Sequence, residues 1–260
     1  PTSAASACAE PGALRMLTAT RRVFARCLAL LPALLLVAVP APARAGKVPG
    51  QAGIATAHPL ATAAGQEMLA AGGNAFDAAV AISATLAVVE PFASGLGGGA
   101  FWLLHEAKSG RQVFVDAREV APGAATPGMY LDAGGNPVPG STLTGPLAAG
   151  IPGQPAGLVH LAKRYGKLPL ERVLAPAIRH AEEGVAVTRG MVLGLQFRQS
   201  AARQSPEFAA RFYPGGRPLA EGDLLRQPEL AATLRRLARG GFDGYYRGET
   251  ARLLVEGVQA

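Results

Sequence analysis

The sequence predicts an α+β fold, in which a buried helix and a strand pair come first and a helical half follows. Residues 75–89 are small or apolar almost all round, as in a helix that is buried on several sides. Two short apolar segments, 100–105 and 113–117, flank a turn at residues 108–110, which is typical of paired strands. From about Pro155 onward, helical signals recur to the end of the chain.

The composition indicates a folded protein. Of its 260 residues, 49% are hydrophobic and only 17% are charged, which allows a sizeable core and argues against general disorder. The formal net charge is +7, but residues 1–45 hold five arginines and one acid, so the remainder contributes only +3. No basic stripe with interleaved aromatic residues occurs, and we therefore expect no nucleic-acid partner.

The N-terminal region predicts export. Residues 1–15 show no periodicity and are interpreted as upstream read-through, and residues 16–45 are interpreted as a signal peptide. Basic residues precede an apolar run of about 13 residues, which is shorter than the roughly 20 that span a bilayer. Ala43-Arg44-Ala45 is a small-x-small cleavage site. We expect cleavage after Ala45 and a periplasmic or secreted protein without a stable membrane anchor; an uncleaved anchor is the alternative.

Both cysteines, Cys8 and Cys27, precede that cleavage site. The mature part, residues 46–260, is therefore expected to lack disulfides, thiol catalysis and thiolate metal ligands. Since the chain begins with Pro1 and ends within a predicted helix, we interpret it as a fragment or a mis-bounded translation.

The first elements of the mature part follow from local signals. Residues 53–58 are predicted to form a buried strand, and residues 59–71 a helix that starts with Pro59. Asn74 is predicted to cap the next helix, with Asp77 near its positive end. Glu90-Pro91 ends that helix, and the glycine loop, residues 95–99, leads into the strand pair.

Residues 122–153 are rich in Pro, Gly and Thr and are predicted to be mostly irregular. Pro176 falls within one predicted helix, which is therefore expected to start late or to kink. The predicted helices cover 155–165, 170–183, 191–202, 207–212, 228–239 and 244–258.

The glycine loop does not fit a phosphate site. A P-loop or a dinucleotide fingerprint requires a helix after the glycines, whereas a strand follows here. Two interpretations remain for the loop: its backbone N–H groups line a pocket, or its glycines allow close packing of the chain. Local reasoning favours close packing.

Arg118 is the main candidate for ligand binding. It follows a strand predicted to be buried and lies near the glycine loop. A guanidinium group can donate two parallel hydrogen bonds to a carboxylate and is charged at any working pH. The alternative is an internal salt bridge with Asp116 or Glu119.

Other candidates for chemistry are weak. His58, His105, His160 and His180 show no metal-ligand spacing and are expected to be structural or exposed. No Gly-x-Ser-x-Gly nucleophile motif occurs, and Glu182 and Glu183 are expected on a solvated helix face. Local reasoning therefore finds no complete catalytic set.

Several motifs occur in an order that resembles a known family. They are Gly-Gly-Asn-Ala-x-Asp-Ala-Ala-Val-Ala (72–81), Gly-Leu-Gly-Gly-Gly-x-Phe (95–101), Asp-x-Arg-Glu-x-Ala-Pro (116–122), Gly-x-Pro-Gly (150–153) and Lys-Arg-Tyr-Gly-x-Leu-Pro (163–169). From about Gly53 to its end, the chain resembles the large subunit of gamma-glutamyltranspeptidases, also called glutathione hydrolases.

The resemblance implies an N-terminal-nucleophile hydrolase with an αββα sandwich, of which only the N-terminal portion is present. In that family a precursor cuts itself, and the threonine freed at the start of a small subunit attacks the gamma-glutamyl amide. The resulting acyl-enzyme passes the glutamyl group to water or to an amine. Arg118 corresponds to the arginine that pairs with the α-carboxylate of the glutamyl group.

The resemblance also implies substrates such as glutathione, a small subunit from the same precursor as partner, and no cofactor or metal. The nucleophile is expected downstream, so that this chain alone should be inactive. Two alternatives stay open: an acylase of the same family that acts on side-chain amides of beta-lactams, and a non-catalytic domain that binds carboxylates through Arg118.

Overall fold

The computed structural model describes residues 52–200 and 204–259, and the residues from Ile54 onward form one compact unit. The predicted read-through, signal peptide and cleavage after Ala45 lie outside the described residues and stay predictions. In the part of the chain that is described, no helix is both long and apolar enough to cross a membrane.

Helices predominate, and two short antiparallel sheets accompany them. The helices are α1 (Pro59–Ala70), α2 (Ala75–Val89), α3 (Gln154–Tyr165), α4 (Leu170–Glu183), α5 (Arg189–Phe197), α6 (Pro206–Phe212), α7 (Pro228–Gly240), α8 (Phe242–Tyr246) and α9 (Gly248–Gln259). The strands are β1 (Ala100–Glu106), β2 (Arg111–Ala117), β3 (Val185–Ala186) and β4 (Leu224–Leu225). β1 pairs with β2, and β3 pairs with β4. This arrangement confirms the predicted α+β class.

α2 lies at the centre of the core, as its apolar sequence predicts. It packs against α1, α3 and α4, and α7 covers the other side of α4. Val80 and Val88 of α2 are fully buried, as are Leu158 of α3, Leu174 of α4 and Leu234 of α7. Burying each such side chain contributes about 1.5–3 kcal/mol, so these contacts hold the helices around α2.

The start of α2 confirms the predicted cap. The Asn74 side chain accepts hydrogen bonds from the backbone N–H groups of Phe76 and Asp77, at 2.9 and 3.0 Å. Asp77 in turn accepts from the backbone N–H of Asn74 at 2.8 Å, which completes a capping box. Gly72, with φ of +83°, makes the left-handed turn that separates α1 from α2.

In the described residues the hairpin of β1 and β2 has one buried face and one open face, so the predicted burial of the strand pair is found on one side only. Trp102, Leu104, Val113 and Val115 pack on the core, whereas Phe101, Leu103 and Phe114 are 52%, 76% and 62% exposed. These three outward side chains are apolar, and apolar residues on both faces resemble a strand buried on two sides. Composition alone therefore could not show that one face is open.

Four predictions of secondary structure are wrong. Residues 53–58 form no strand, since no strand of the described part pairs with them. α4 starts at Leu170 and includes the buried Pro176, so the expected late start is wrong. The predicted helix 244–258 is divided between α8 and α9, because Gly248 adopts a φ of +67°. α5 ends at Phe197 rather than at residue 202.

Candidate functional site

Arg118 follows the last residue of β2, on the open face of the hairpin. The register pairs Phe101 with Asp116, so that Arg118 and Phe114 are the two diagonal neighbours of Phe101 on that face. The backbone N–H of Arg118 donates to Oδ1 of Asp116 at 2.9 Å. The side chain is 65% exposed, so the guanidinium group is accessible to a ligand.

Among the residues that the structure describes, a hydrogen-bond partner is present at only one edge of the guanidinium group. Nε donates to Oε2 of Glu119 at 3.3 Å, and Cζ lies 5.7 Å from the centre of the Phe101 ring. Nη1 and Nη2 make no hydrogen bond to any residue in the described part of the chain. The salt bridge with Glu119, which the sequence analysis gave as an alternative, therefore leaves Nη1 and Nη2 available for two parallel hydrogen bonds to a carboxylate.

The glycine loop packs the chain closely beside Arg118. The carbonyl oxygen of Gly98 accepts hydrogen bonds from the backbone N–H groups of Gly153 and Gln154, both at 3.0 Å, at the start of α3. A Cβ atom on Gly99 would lie 2.7 Å from Cα of Arg118, and one on Gly153 would lie 2.3 Å from the Arg118 carbonyl oxygen. The glycines at these positions allow the loop, the end of β2 and α3 to touch, as the packing interpretation predicts.

Tyr245 holds the same loop from the other side. Its hydroxyl group donates to the carbonyl oxygen of Leu96 at 3.0 Å. Burial raises the pKa of Tyr245 to about 12, so the hydroxyl group stays protonated and able to donate. The segment 95–99 is thus attached to both α3 and α8.

A polar cleft of about 410 Å³ lies next to the loop. Its lining includes Ser94 and Glu119, with Gln154 buried at its wall. Glu119 thus lines the cleft, and its carboxylate also accepts a hydrogen bond from Nε of Arg118. A ligand carboxylate on the terminal nitrogens of Arg118 would lie close to this negative charge.

The buried carboxylate of Asp77 joins the motif at residues 72–81 to the motif at residues 163–169. The sequence alone predicted only that Asp77 lies at the start of a helix. Asp77 is fully buried and accepts from the backbone N–H of Lys167 at 3.1 and 3.0 Å and from that of Leu168 at 3.2 Å. The Asn74 side chain donates to the carbonyl oxygen of Tyr165 at 2.7 Å. The start of α2 is therefore fastened to the turn after α3.

The histidines are structural or exposed. Nδ1 of His58 accepts from the backbone N–H of Leu60 at 3.2 Å and caps α1, and burial lowers the pKa of His58. Burial also lowers the pKa of His180 on α4. His105 and His160 are exposed. Within residues 52–200 and 204–259, no group of His, Cys, Asp or Glu side chains could hold a metal ion.

The described residues place the Arg118 cation beside Glu119, which lines the cleft, and they include no paired nucleophile and base. In that part of the chain, no serine or threonine hydroxyl group is hydrogen-bonded to a histidine ring. Glu182 is exposed and forms a surface ion pair with Arg235, so it stays away from Arg118. The arrangement can therefore hold an anion at Arg118.

Comparison with known proteins relates the chain to one family. A family model described as gamma-glutamyltranspeptidase matches residues 61–260. The chain is 37% identical over 255 residues to a glutathione hydrolase proenzyme of Bacillus subtilis. The aligned region covers 92% of this chain and 43% of the relative. It is also 38% identical to the Acylase ACY 1 proenzyme of Pseudomonas sp. strain SE83, over 80% of this chain and 38% of that relative.

The structure agrees with these similarities. A gamma-glutamyltranspeptidase from Helicobacter pylori superposes with a TM-score of 0.76 at 40% identity, over 79% of this chain and 59% of that one. This likeness confirms the predicted fold class, of which the described residues form the N-terminal portion. The chain spans less than half of the length of the curated relatives it matches.

Proposed function

We propose, because this chain belongs to the gamma-glutamyltranspeptidase family, that it is the N-terminal part of the large subunit of a gamma-glutamyltransferase, or glutathione hydrolase. In the proposed reaction, a threonine at the start of the small subunit attacks a gamma-glutamyl amide such as that of glutathione. An acyl-enzyme forms as the amine leaves, and water or an amino acid or peptide amine then accepts the glutamyl group.

The observation that carries the proposal is the terminal edge of Arg118, which forms no hydrogen bond with any described residue. Its Nη1 and Nη2 can donate two parallel hydrogen bonds to the α-carboxylate of the glutamyl group. Glu119 occupies Nε, and Asp116 accepts from the backbone N–H, so both acids support the orientation of the arginine. The part of this chain in the reaction is thus to bind and orient the donor substrate.

The proposal assigns the nucleophile to a segment that the relatives possess beyond the matched part. On this view the chain alone is inactive and needs the small subunit as its partner. The relatives are named proenzymes, which fits a precursor that yields two subunits. The open face of the hairpin, with Phe101, Leu103 and Phe114, provides an apolar surface on which further strands can pack.

Export to the periplasm or the exterior belongs to the same proposal. It depends on the predicted signal peptide at residues 16–45. Mass spectrometry of the exported protein should find an N-terminus at Gly46. A chain that retains Met16 would instead support a membrane anchor.

The test of the proposed function uses the complete gene. The purified, processed protein should release the amine from a gamma-glutamyl amide and form a gamma-glutamyl peptide when an acceptor amine is added. Mass spectrometry should locate the glutamyl group on an N-terminal threonine. A complete protein that is processed but turns over no gamma-glutamyl donor would contradict the proposal.

An acylase is the second candidate, because the chain is 38% identical to a relative named Acylase ACY 1. Such an enzyme would cleave the side-chain amide of a beta-lactam by the same acyl-enzyme route. The two candidates differ in the preferred donor, so kcat/KM should be measured for a gamma-glutamyl amide and for an acylated beta-lactam. The larger value identifies the function.

A further inference from the structure

The aromatic ring of Phe101 contacts the guanidinium group of Arg118 on the open face of the hairpin. The ring is flanked by its two diagonal neighbours, with Cζ of Arg118 5.7 Å from its centre and the Phe114 ring 5.3 Å away. Half of Phe101 is exposed. The ring also belongs to the apolar face on which further strands are proposed to pack, and its contact with the neighbouring cation gives it a second role.

Arg118 needs such a neighbour because its other restraint is weak. Among the described residues, the side chain makes one hydrogen bond, from Nε to Oε2 of Glu119 at 3.3 Å, which fixes only one edge of the guanidinium group. An arginine side chain has many rotamers, and ordering it on binding reduces affinity. A ring face beside the cation favours a subset of these rotamers through its negative quadrupole.

The hairpin register determines this contact. Phe101 is opposite Asp116, and side chains two residues apart on a strand point to the same face. Arg118 must therefore approach Phe101 diagonally, while the terminal nitrogens remain without a partner among the described residues. Leu103, two residues further along β1, is opposite Phe114 and lies outside this diagonal pair.

We infer that Phe101 is a positioning residue for Arg118, which holds the guanidinium group in the orientation that binds the α-carboxylate of the donor substrate. The inference rests on the proposed function. Phe101 takes no part in bond making, so its removal should weaken the binding of carboxylate-bearing donors and leave the chemical step unchanged.

The test compares variants of the complete, processed enzyme. Phe101→Leu removes the ring, Phe101→Tyr keeps it, and Leu103→Ala is a matched control on the same open face. KM for a gamma-glutamyl amide should rise roughly two- to fivefold in Phe101→Leu, with kcat unchanged. Phe101→Tyr should keep the KM of the unmodified enzyme. Leu103→Ala reports packing on the open face, so any change in KM that it causes should be equal for donors with and without an α-carboxylate.

Two further measurements separate positioning from a general structural effect. A donor analogue whose α-carboxylate is replaced by hydrogen should have the same KM in Phe101→Leu as in the unmodified enzyme. In an Arg118→Ala background, Phe101→Leu should cause no additional rise in KM, since the two residues act as a unit. Phe101→Met serves as a second variant without the ring if Phe101→Leu does not fold.

The outcomes distinguish this inference from the proposed function. If Arg118→Ala leaves KM for the gamma-glutamyl amide unchanged, the carboxylate role itself is wrong. If Arg118→Ala raises KM but Phe101→Leu does not, only the positioning role is wrong. An equal effect of Phe101→Leu on both donors, or an effect that persists without Arg118, would also overturn the positioning role.

Discussion

The carboxylate of Asp77 accepts hydrogen bonds from the backbone N–H of Lys167, at 3.1 and 3.0 Å, across 90 residues of chain. Asp77 also accepts from Asn74 and Leu168. Two motifs that look independent in the sequence, the start of α2 and the turn after α3, therefore form one buried structure. Donors from the backbone satisfy this buried charge in place of a cation.

Asp77→Asn should destabilise the protein by about 3 kcal/mol, because the new amide group would face backbone donors and leave buried N–H groups unpaired. Urea unfolding of the complete protein measures the loss. Asp243→Asn is the control, since Asp243 is exposed and forms only a surface pair with Arg247; it should change stability by less than about 0.5 kcal/mol. Equal effects of the two substitutions would contradict the bracing role of Asp77.

Gly99→Ala should destabilise the protein by roughly 1–3 kcal/mol and raise KM. A Cβ atom there would lie 2.7 Å from Cα of Arg118 and 2.9 Å from the carbonyl oxygen of Ala117, and backbone atoms cannot move aside easily. Thermal unfolding and steady-state kinetics of the complete enzyme would check both effects.

The same loop offers a control for this prediction. A Cβ atom on Gly97 would have no atom within 4 Å, and Gly97 has no positive φ. Gly97→Ala should therefore be neutral or slightly stabilising, by up to about 1 kcal/mol. If both alanine variants behave alike, close packing does not explain the glycine at position 99.

Arg118→Ala should raise KM for gamma-glutamyl donors by roughly 100-fold or more, because two hydrogen bonds to a charged group, each worth about 1.5–3 kcal/mol, are lost. The bound carboxylate is remote from the amide that is cleaved, so kcat should change less than KM. Arg111→Ala is the control, since Arg111 lies at the opposite end of the hairpin and pairs with Glu106. A KM that Arg118→Ala leaves unchanged is incompatible with the carboxylate role.

Stability should fall as the pH decreases below about 6.5, partly through His58. Burial lowers the pKa of folded His58, with Glu90 opposing the shift, so the unfolded chain binds a proton first. The contribution of neutral His58 to stability is complete above the pKa that His58 has in the unfolded chain. It is lost as the pH falls toward the lower pKa that His58 has in the folded protein. Protonation of Nδ1 also removes the acceptor for the backbone N–H of Leu60.

The variant His58→Asn isolates this effect, because asparagine can cap α1 but does not titrate. Unfolding free energies at pH 7.5 and 5.5 should differ less in the variant than in the unmodified protein. Some dependence should remain, since burial lowers the pKa of His180 as well. The same pH-dependent loss in both proteins would exclude His58 as a contributor.

Local features were predictable because neighbouring residues form them. The cap at Asn74, the start of α1 at Pro59 and the hairpin turn at residues 108–110 depend on contacts within a few positions. The predictions of one continuous helix over residues 244–258 and of a strand at residues 53–58 were wrong for a different reason. A positive φ and a missing strand partner depend on the rest of the fold.

By itself, the sequence determined the α+β class, the family and the choice of Arg118 as the candidate ligand-binding residue. These follow from local periodicity and from the order of short motifs. Only the tertiary structure showed that Asp77 binds Lys167 and that Phe101 lies beside Arg118 with the terminal nitrogens open. Such contacts join residues distant in the chain, and their geometry depends on strand register and helix packing, which no single segment specifies.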